Sequence, residues 1–537
     1  MKKKIFLIII IILQVITLII IGNNKYGYHG DELYSYHFTS VLKYPMLADN
    51  KEGKYLNNWH NNEFYKNYFE VSQEERFKLV EINNNIKEDT HPPIFYLLLH
   101  ISNSIFAPNK FTKWTGIGLN IIFFVLSIII LFFSSRRILN STNWALLVTT
   151  LYGFSIGAIR TVIFLRMYMI LTFATLAFFY IHLILYEKIE EENFSKRTKL
   201  IIYLALLITF VFGILTHYYF LIFAFLCCFY FFLYLLKNKK IRSLIEYCTT
   251  MFISLIATLI IWPYIIYDMF SGYRGKEAFS NFSSLNDIVK KLYLYLEQIN
   301  ECVFSKYINL FIVILLLILI VLLIVRKFKN KLPIFESNEI QNLIKTLHIM
   351  FFFIFYVLLI SKIAPYITER YILNVLPFIY VIIVFFIKTT YEKLQISKPF
   401  YVITILALII CTFATYNQKM FKYQFQYQQN YVSIAKKYKN SKAILLTKDN
   451  FSFSSCLASI YLKEHKNTYV LDQNGIDLIN EKIYNNKDSE IILYFDSELG
   501  EDYLDILRKK LKAPNIELLF GAKEDRVKTY LLKVNDW

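Results

Sequence analysis

Apolar residues in this chain come in blocks rather than in amphipathic periods. Ile5–Ile21, Ile117–Phe133, Met167–Tyr186, Ile201–Leu215, Tyr218–Leu236 and Ile308–Val325 are almost free of charge. Each is near the ~20 residues a helix needs to cross hydrocarbon. Reading shorter and more interrupted runs the same way places eleven spans, near residues 5–21, 114–133, 144–159, 167–186, 199–215, 218–236, 244–267, 307–325, 346–361, 371–388 and 400–416. Ile94 to Phe106, after His91-Pro92-Pro93, is apolar but only 13 residues long. That is too short to cross, so it reads as an interfacial or re-entrant helix. Two long polar stretches remain, 22–113 and 417–537. In the second, Ala443–Thr447, Tyr469–Leu471, Ile491–Phe495 and Ile516–Phe520 read as strands. Phe453–Glu464, Ile476–Tyr484 and Tyr503–Leu511 read as helices between them. The expected fold class is a polytopic α-helical membrane protein, residues 1–416, followed by a small α/β domain with a partly parallel sheet, residues 417–537.

Composition agrees. The chain of 537 residues is 56% apolar and 19% charged, against about 45–50% and about 25% in soluble domains. This excludes a soluble enzyme, a disordered regulator and a disulfide-stapled secreted domain. The formal charge of +18 invites nucleic acid as a partner, but the basic residues recur in short clusters between apolar blocks. With the N-terminus inside, six inner segments carry 21 Lys and Arg against 9 in the four short outer loops, the bias expected of a membrane protein. Membrane lipid, not nucleic acid, is therefore the expected surroundings. The N-terminus is expected in the cytoplasm, and residues 22–113 and the C-terminal domain outside it. Lys2-Lys3-Lys4 ahead of the first block suits a signal peptide, but no small-residue cleavage site follows, so this reads as an uncleaved first span. Cys227, Cys228, Cys248 and Cys411 lie in apolar blocks and are expected to pack. Cys302 and Cys456 lie outside them and are the pair that could form a disulfide.

Ionisable residues gather at span ends on the outer side of this threading. Asp31 and Glu32 follow the first span and His91 precedes the short apolar segment. Arg160, Arg166 and Tyr168 bracket the third and fourth spans, His217 joins the fifth and sixth, and Lys362, Glu369, Arg370 and Tyr371 join the ninth and tenth. Singly, an Arg or Tyr there anchors a helix end at the headgroups. Together, ionisable groups next to hydrocarbon are costly and are retained for pairing or function. On a helix the adjacent Asp31 and Glu32 diverge by about 100°, so one carboxylate alone can face a given cleft. One suffices for a general base, and the cations suit an anionic leaving group such as phosphate.

At these residues the chain resembles the GT-C superfamily of membrane glycosyltransferases. Asp31-Glu32 soon after the first span is similar to the acidic motif of their first outer loop. His91-Pro92-Pro93-Ile94-Phe95-Tyr96-Leu97-Leu98-Leu99-His100 resembles the HPPLYYLLLH block of glycosyltransferase family 39-like members, a group that resembles protein O-mannosyltransferases and lipid A aminoarabinose transferases. Arg166-Met167-Tyr168-Met169 is similar to their ARMYAL block and Glu369-Arg370-Tyr371-Ile372-Leu373 to their ERYLL block. The Glu often found shortly before the Arg-Met-Tyr block is absent; Ile163-Phe164-Leu165 stand there. The resemblance covers residues 1–416 and implies a GT-C-like fold with interfacial helices. It implies an inverting transferase that takes a sugar from a polyprenyl-phosphate donor to a glycan, lipid or protein acceptor at the outer face of a bacterial-type plasma membrane. Asp31 is then the base and Glu32 its support, or a ligand if a divalent cation takes part; no resident cofactor or metal ligand set is otherwise expected. Arg166, Arg370, Arg160 and Lys362 are candidates for the donor phosphate, and His91, Tyr168, His217, Glu369 and Tyr371 for the lining.

A glycan polymerase or ligase would need the same phosphate clamp. A lipid-linked glycan transporter would place polar, helix-breaking residues near the midplane in paired halves, and the chain has few there and no half-repeat.

Overall fold

The computed structural model describes residues 2–40, 55–87, 89–191, 195–283, 287–303, 337–394, 398–413, 421–448, 453–479, 490–513, 515–521 and 526–533. Two compact units emerge: Met1–Ile20, Ile86–Phe95 and Ile117–Lys422 form one, and Ile21–Asn85, Tyr96–Gly116 and Tyr423–Trp537 the other.

The first unit is a helical bundle. Among the described residues, Lys3–Asn23, Lys113–Leu139, Tyr168–Glu190, Lys196–Thr216, Phe220–Lys237, Ile241–Ile261, Asn342–Ile363 and Leu373–Glu392 are long and apolar enough to cross a membrane. The span expected at 307–325 lies outside the described residues, and the one at 400–416 corresponds to the helix Lys398–Phe413. The expected third span is two helices, Thr142–Gly153 and Ile156–Ile163, bent by 55°. Ser155 causes the second start: its hydroxyl accepts from the Ala158 N–H at 3.2 Å and caps the new helix. Gly157 then lets that helix approach its neighbours, since a Cβ there would stand 2.7 Å from Leu376 Cδ1 and 3.1 Å from Cys302 Cβ. Arg160 is thereby delivered to the helix Ile288–Cys302. The buried polar residue of the first span, Gln14, donates to the Thr149 carbonyl at 2.9 Å, so its amide N–H is bonded inside the bundle.

The second unit is built on a six-stranded sheet in the order β1-β3-β2-β4-β6-β5. Its strands are β1 Asn58–Asn61, β2 Lys442–Thr447, β3 Asn467–Asp472, β4 Glu490–Asp496, β5 Asn515–Phe520 and β6 Val527–Lys533. β2 is parallel to β3 and β4, and the flanking pairs are antiparallel. The parallel centre is buried on both faces, which explains strands apolar throughout rather than alternating. One face packs Ile444, Leu446, Leu493 and Phe495 with Leu507 and Leu511. On the other the helix Phe453–Leu462 covers β2, and its Tyr461 stacks on Tyr494 at 5.0 Å. β1 comes from the first outer segment, which the sequence reading had grouped with residues 1–416. In the structure it is an edge strand of the tail's sheet. Cys302 and Cys456 are both buried free thiols, so the disulfide expected from their positions is not formed.

The helix Gly30–Thr39 packs on Phe453–Leu462, and a buried ion pair ties it to the chain on either side. Glu32 accepts from Lys25 Nζ at 3.0 Å, with both side chains fully buried. Lys25 Nζ also donates to the Tyr423 carbonyl at 2.6 Å. Burial lowers the Lys25 pKa, against the opposing pull of Glu32. Removing one partner of such a pair costs about 3–5 kcal/mol, whereas replacing both by apolar groups is often close to neutral. Lys25→Met is therefore expected to lower the melting temperature of the detergent-solubilised protein by many degrees, and Lys25→Met/Glu32→Leu to recover most of the loss. Equal destabilisation by the single and double variants would show that the pair does not carry this stability.

Candidate active site

Within the helical unit, four of the blocks singled out in the sequence meet at one end of the bundle. Helix Ile156–Ile163 ends at Phe164, and the Arg166 N–H turns back to the Phe164 carbonyl at 2.8 Å. Asn120, a lone amide in the span Lys113–Leu139, donates to the carbonyls of Val162 (2.9 Å) and Phe164 (3.1 Å) and staples this break open. The turn holds Arg166 next to His91, with Nη2 and Nε2 3.3 Å apart. A guanidinium only donates, so His91 Nε2 accepts and its proton resides on Nδ1, which donates to Asp89 at 3.1 Å. The His91 ring stands edge-on to His217 at 5.9 Å, and Tyr168 lies 5.6 Å from the same ring. His217 leaves helical geometry at the end of Lys196–Thr216, and its Nδ1 accepts from the Tyr219 N–H at 3.0 Å.

The ring of Tyr219 meets Tyr371 at 5.1 Å, and Arg370 lies over Tyr371 and donates to its hydroxyl at 3.3 Å. Burial, and after it the neighbouring His91 ring and the positive charge of Arg166 and Arg370, holds the His217 pKa well below its ordinary value. His217 is thus a neutral imidazole in a cation-rich pocket. Tyr219, by contrast, has its phenol pushed well above the ordinary range by burial and by neighbouring tyrosines. Burial disfavours any charge there, but the part of the shift that comes from Arg166 and Arg370 is a field that would attract an anion.

Arg160 and Glu369 were expected in the phosphate clamp and the lining. The structure gives them to each other. Arg160 is 1% exposed, with Nη2 2.6 Å from Glu301 and Nη1 3.4 Å from Glu369. Lys422 closes the square at 3.2 Å from Glu301 and 3.3 Å from Glu369. Two cations and two carboxylates balance, so Arg160 cannot hold an anionic ligand without breaking a buried pair. The pair ties the helix Ile156–Ile163 to the turn Glu369–Tyr371 that carries Arg370. Sequence reasoning missed Glu301 and Lys422 because their partners lie more than fifty residues away. Lys362 lies in the last turn of the helix Ser337–Ile363, half-buried.

Asp89 and Asp268 were also missed. Asp268 accepts from the Tyr218 hydroxyl at 2.5 Å, which itself accepts from Trp262 Nε1 at 3.1 Å. The pKa of Asp268 is raised, mainly by burial and then by Asp89. The visible signal for both was a carboxylate within a few residues of a span end or of His91. Among the described residues no three His, Cys, Asp or Glu side chains are grouped to hold a metal ion.

In the other unit, Asp31 and Glu32 open the helix Gly30–Thr39 and part as adjacent helical residues must. Glu32 is fully buried: besides Lys25, it accepts from the His29 N–H at 2.7 Å and completes a capping box. The Asp31 side chain remains 27% exposed, with the His29 ring 3.6 Å away. The buried Cys456 of helix Phe453–Leu462 feels the Asp31 charge.

No family model matches the chain, and no curated protein matches it in sequence. Solved structures do. ArnT from Cupriavidus metallidurans bound to undecaprenyl phosphate is 10% identical with a TM-score of 0.51, over 98% of this chain and 97% of that one. The apo form of the same protein is 11% identical with a TM-score of 0.51, over 97% of each chain. AglB of Archaeoglobus fulgidus, in complex with an inhibitory peptide and a dolichol-phosphate, is 11% identical with a TM-score of 0.48, over 95% of this chain and 71% of that one. From its first span to its C-terminal sheet, the chain has the fold of these ArnT structures.

Proposed function

We propose that this protein is an inverting glycosyltransferase that moves a sugar from a polyprenyl-phosphate donor to a hydroxyl of a glycan, lipid or protein acceptor on the outer face of the membrane. The observation that carries this reading is the cation-rich pocket of Arg166, His91, His217 and Arg370 at the span ends. The likeness to ArnT, whose structure was solved with undecaprenyl phosphate, supports it.

In this reading the acceptor oxygen attacks the anomeric carbon as the bond from that carbon to the phosphate oxygen breaks. The hydroxyl proton passes to Asp31, and the electron pair of the broken bond stays on the phosphate. Arg166 and Arg370 stabilise the developing phosphate charge, where a positioned cation contributes more than a proton donor would. Asp89 holds His91 in the tautomer that leaves Nε2 facing Arg166. Neutral His217 and the phenols of Tyr168 and Tyr371 shape the pocket, and Lys362 is a further contact for the phosphate. Glu32 orients Asp31 through the helix cap and the Lys25 pair, and Arg160 supports Arg370 through Glu369.

Incubating purified protein with a panel of polyprenyl-phosphate sugars and following release of polyprenyl phosphate tests the reading; no consumption of any donor in an acceptor-replete membrane extract overturns it. Asp31→Asn is expected to lower transfer by roughly 10²–10⁴-fold at unchanged abundance; undiminished turnover removes Asp31 from the mechanism. Arg370→Ala is expected to cut kcat/KM for the donor about 10–100-fold, the loss of one charge-assisted contact, with little change in thermal stability. Arg160→Ala should do the reverse, lowering the melting temperature far more than it weakens donor use. The same profile in both variants would refute the division of labour between these arginines.

A further inference from the structure

We propose that the end of the bundle remote from Tyr168 binds one anionic phospholipid, with an acyl chain in an aromatic cleft and the headgroup on Arg136, Arg137 and Lys345. The cleft opens between the helices Tyr168–Glu190, Phe220–Lys237 and Ser337–Ile363, and Phe179, Tyr186, Tyr230, Phe231 and Phe352 line it. Tyr230 packs against His348 at 3.8 Å and Phe352 at 5.7 Å, which makes one wall a continuous aromatic surface. Lys345 stands in the lining of this cleft and pairs with Glu187 at 3.3 Å. Glu187 in turn lines a second, polar cavity with Arg136, Arg137 and Asn140, and pairs with Arg137. The two cavities therefore share one ion-paired wall: an apolar trough runs into a cationic cup.

The charge balance selects the ligand. Among the residues that line the two cavities, three cations stand against one carboxylate, a net excess of two positive charges, which suits an anionic headgroup over a zwitterionic one. Basic pockets between spans are where anionic headgroups bind from the bilayer. The aromatic trough selects a lipid over free phosphate, because an anion without a chain leaves it uncovered. Tyr168 and Glu187 lie on one helix, about 28 Å apart at ~1.5 Å rise per residue, nearly the ~30 Å thickness of the hydrocarbon. This lipid thus belongs to the leaflet opposite the cation-rich pocket, and its binding does not rest on the transfer reading.

Native mass spectrometry of the full chain in detergent, titrated with phosphatidylglycerol, phosphatidylcholine or inorganic phosphate, tests the proposal. Phosphatidylglycerol is expected to be retained as one lipid per protein, at least tenfold more tightly than phosphatidylcholine. Arg136→Gln/Arg137→Gln should erase that preference. Arg136→Gln alone, at an exposed position where folding is not at stake, should already weaken it several-fold. Equal retention of the two lipids by the unaltered protein, unchanged retention in both variants, or displacement of the lipid by millimolar inorganic phosphate would each overturn the assignment.

Discussion

The geometry of the acidic motif hangs on one buried carboxylate. Glu32 takes the Lys25 ammonium and the His29 N–H together, and Lys25 reaches onward to the Tyr423 carbonyl. One buried side chain thereby caps the helix Gly30–Thr39, neutralises the Lys25 ammonium beside it, and joins the segment after the first span to the segment that leads into the sheet. The stitch is tightened by the Tyr26 and Gly27 N–H groups, which donate to the Gln424 carbonyl at 2.9 and 3.2 Å. Gly27 also lets the Gln428 side chain, which bonds the Tyr28 backbone, lie against the chain here, since a Cβ would overlap its Oε1. With Glu32 locked inward, the helical twist leaves its neighbour Asp31 on the more open side. The identity of the outward carboxylate is a consequence of where the inward one is held.

The same electrostatic rule separates the arginines. A guanidinium at the rim of a hydrocarbon slab is tolerated when something answers its charge. For Arg160 the answer is built in, as Glu301 and Glu369 with Lys422 balancing the excess. For Arg166 it includes an imidazole, whose own proton is fixed by Asp89. A neutral partner leaves the local field positive, which adds to burial in depressing the His217 pKa. A closed square of four charges is a joint; a guanidinium on a histidine keeps its charge, as the proposed phosphate contact requires.

Much of this was legible from sequence, for reasons that differ by residue. Span positions and the parallel strands could be read because both are runs of apolar residues whose burial does not depend on which partner covers them. The short helix Ile94–Phe106 followed from its length and the two prolines before it. The break at Phe154 was hidden because the apolar run continues through it, and the Ser155 cap is a single hydroxyl in that run. β1 was invisible for the opposite reason: Asn-Trp-His-Asn has no alternation, and only pairing with β3 makes it a strand. The role of Arg160 could not be read at all, because its carboxylates stand 141 and 209 positions away.

The two ends of the helix Tyr168–Glu190 show how one element serves both leaflets. At its start, the aromatic Tyr168 stacks on Phe164 at 5.7 Å and packs beside a neutral His217, where charge is held by other elements. At its end, Glu187 draws Arg137 and Lys345 from two other helices onto itself. Between these ends the helix is almost wholly buried, with no charged residue from Tyr168 to Tyr186. A rigid rod of this kind transmits a shift at one end to the other as a tilt, because a well-packed apolar helix has no soft point at which to absorb it.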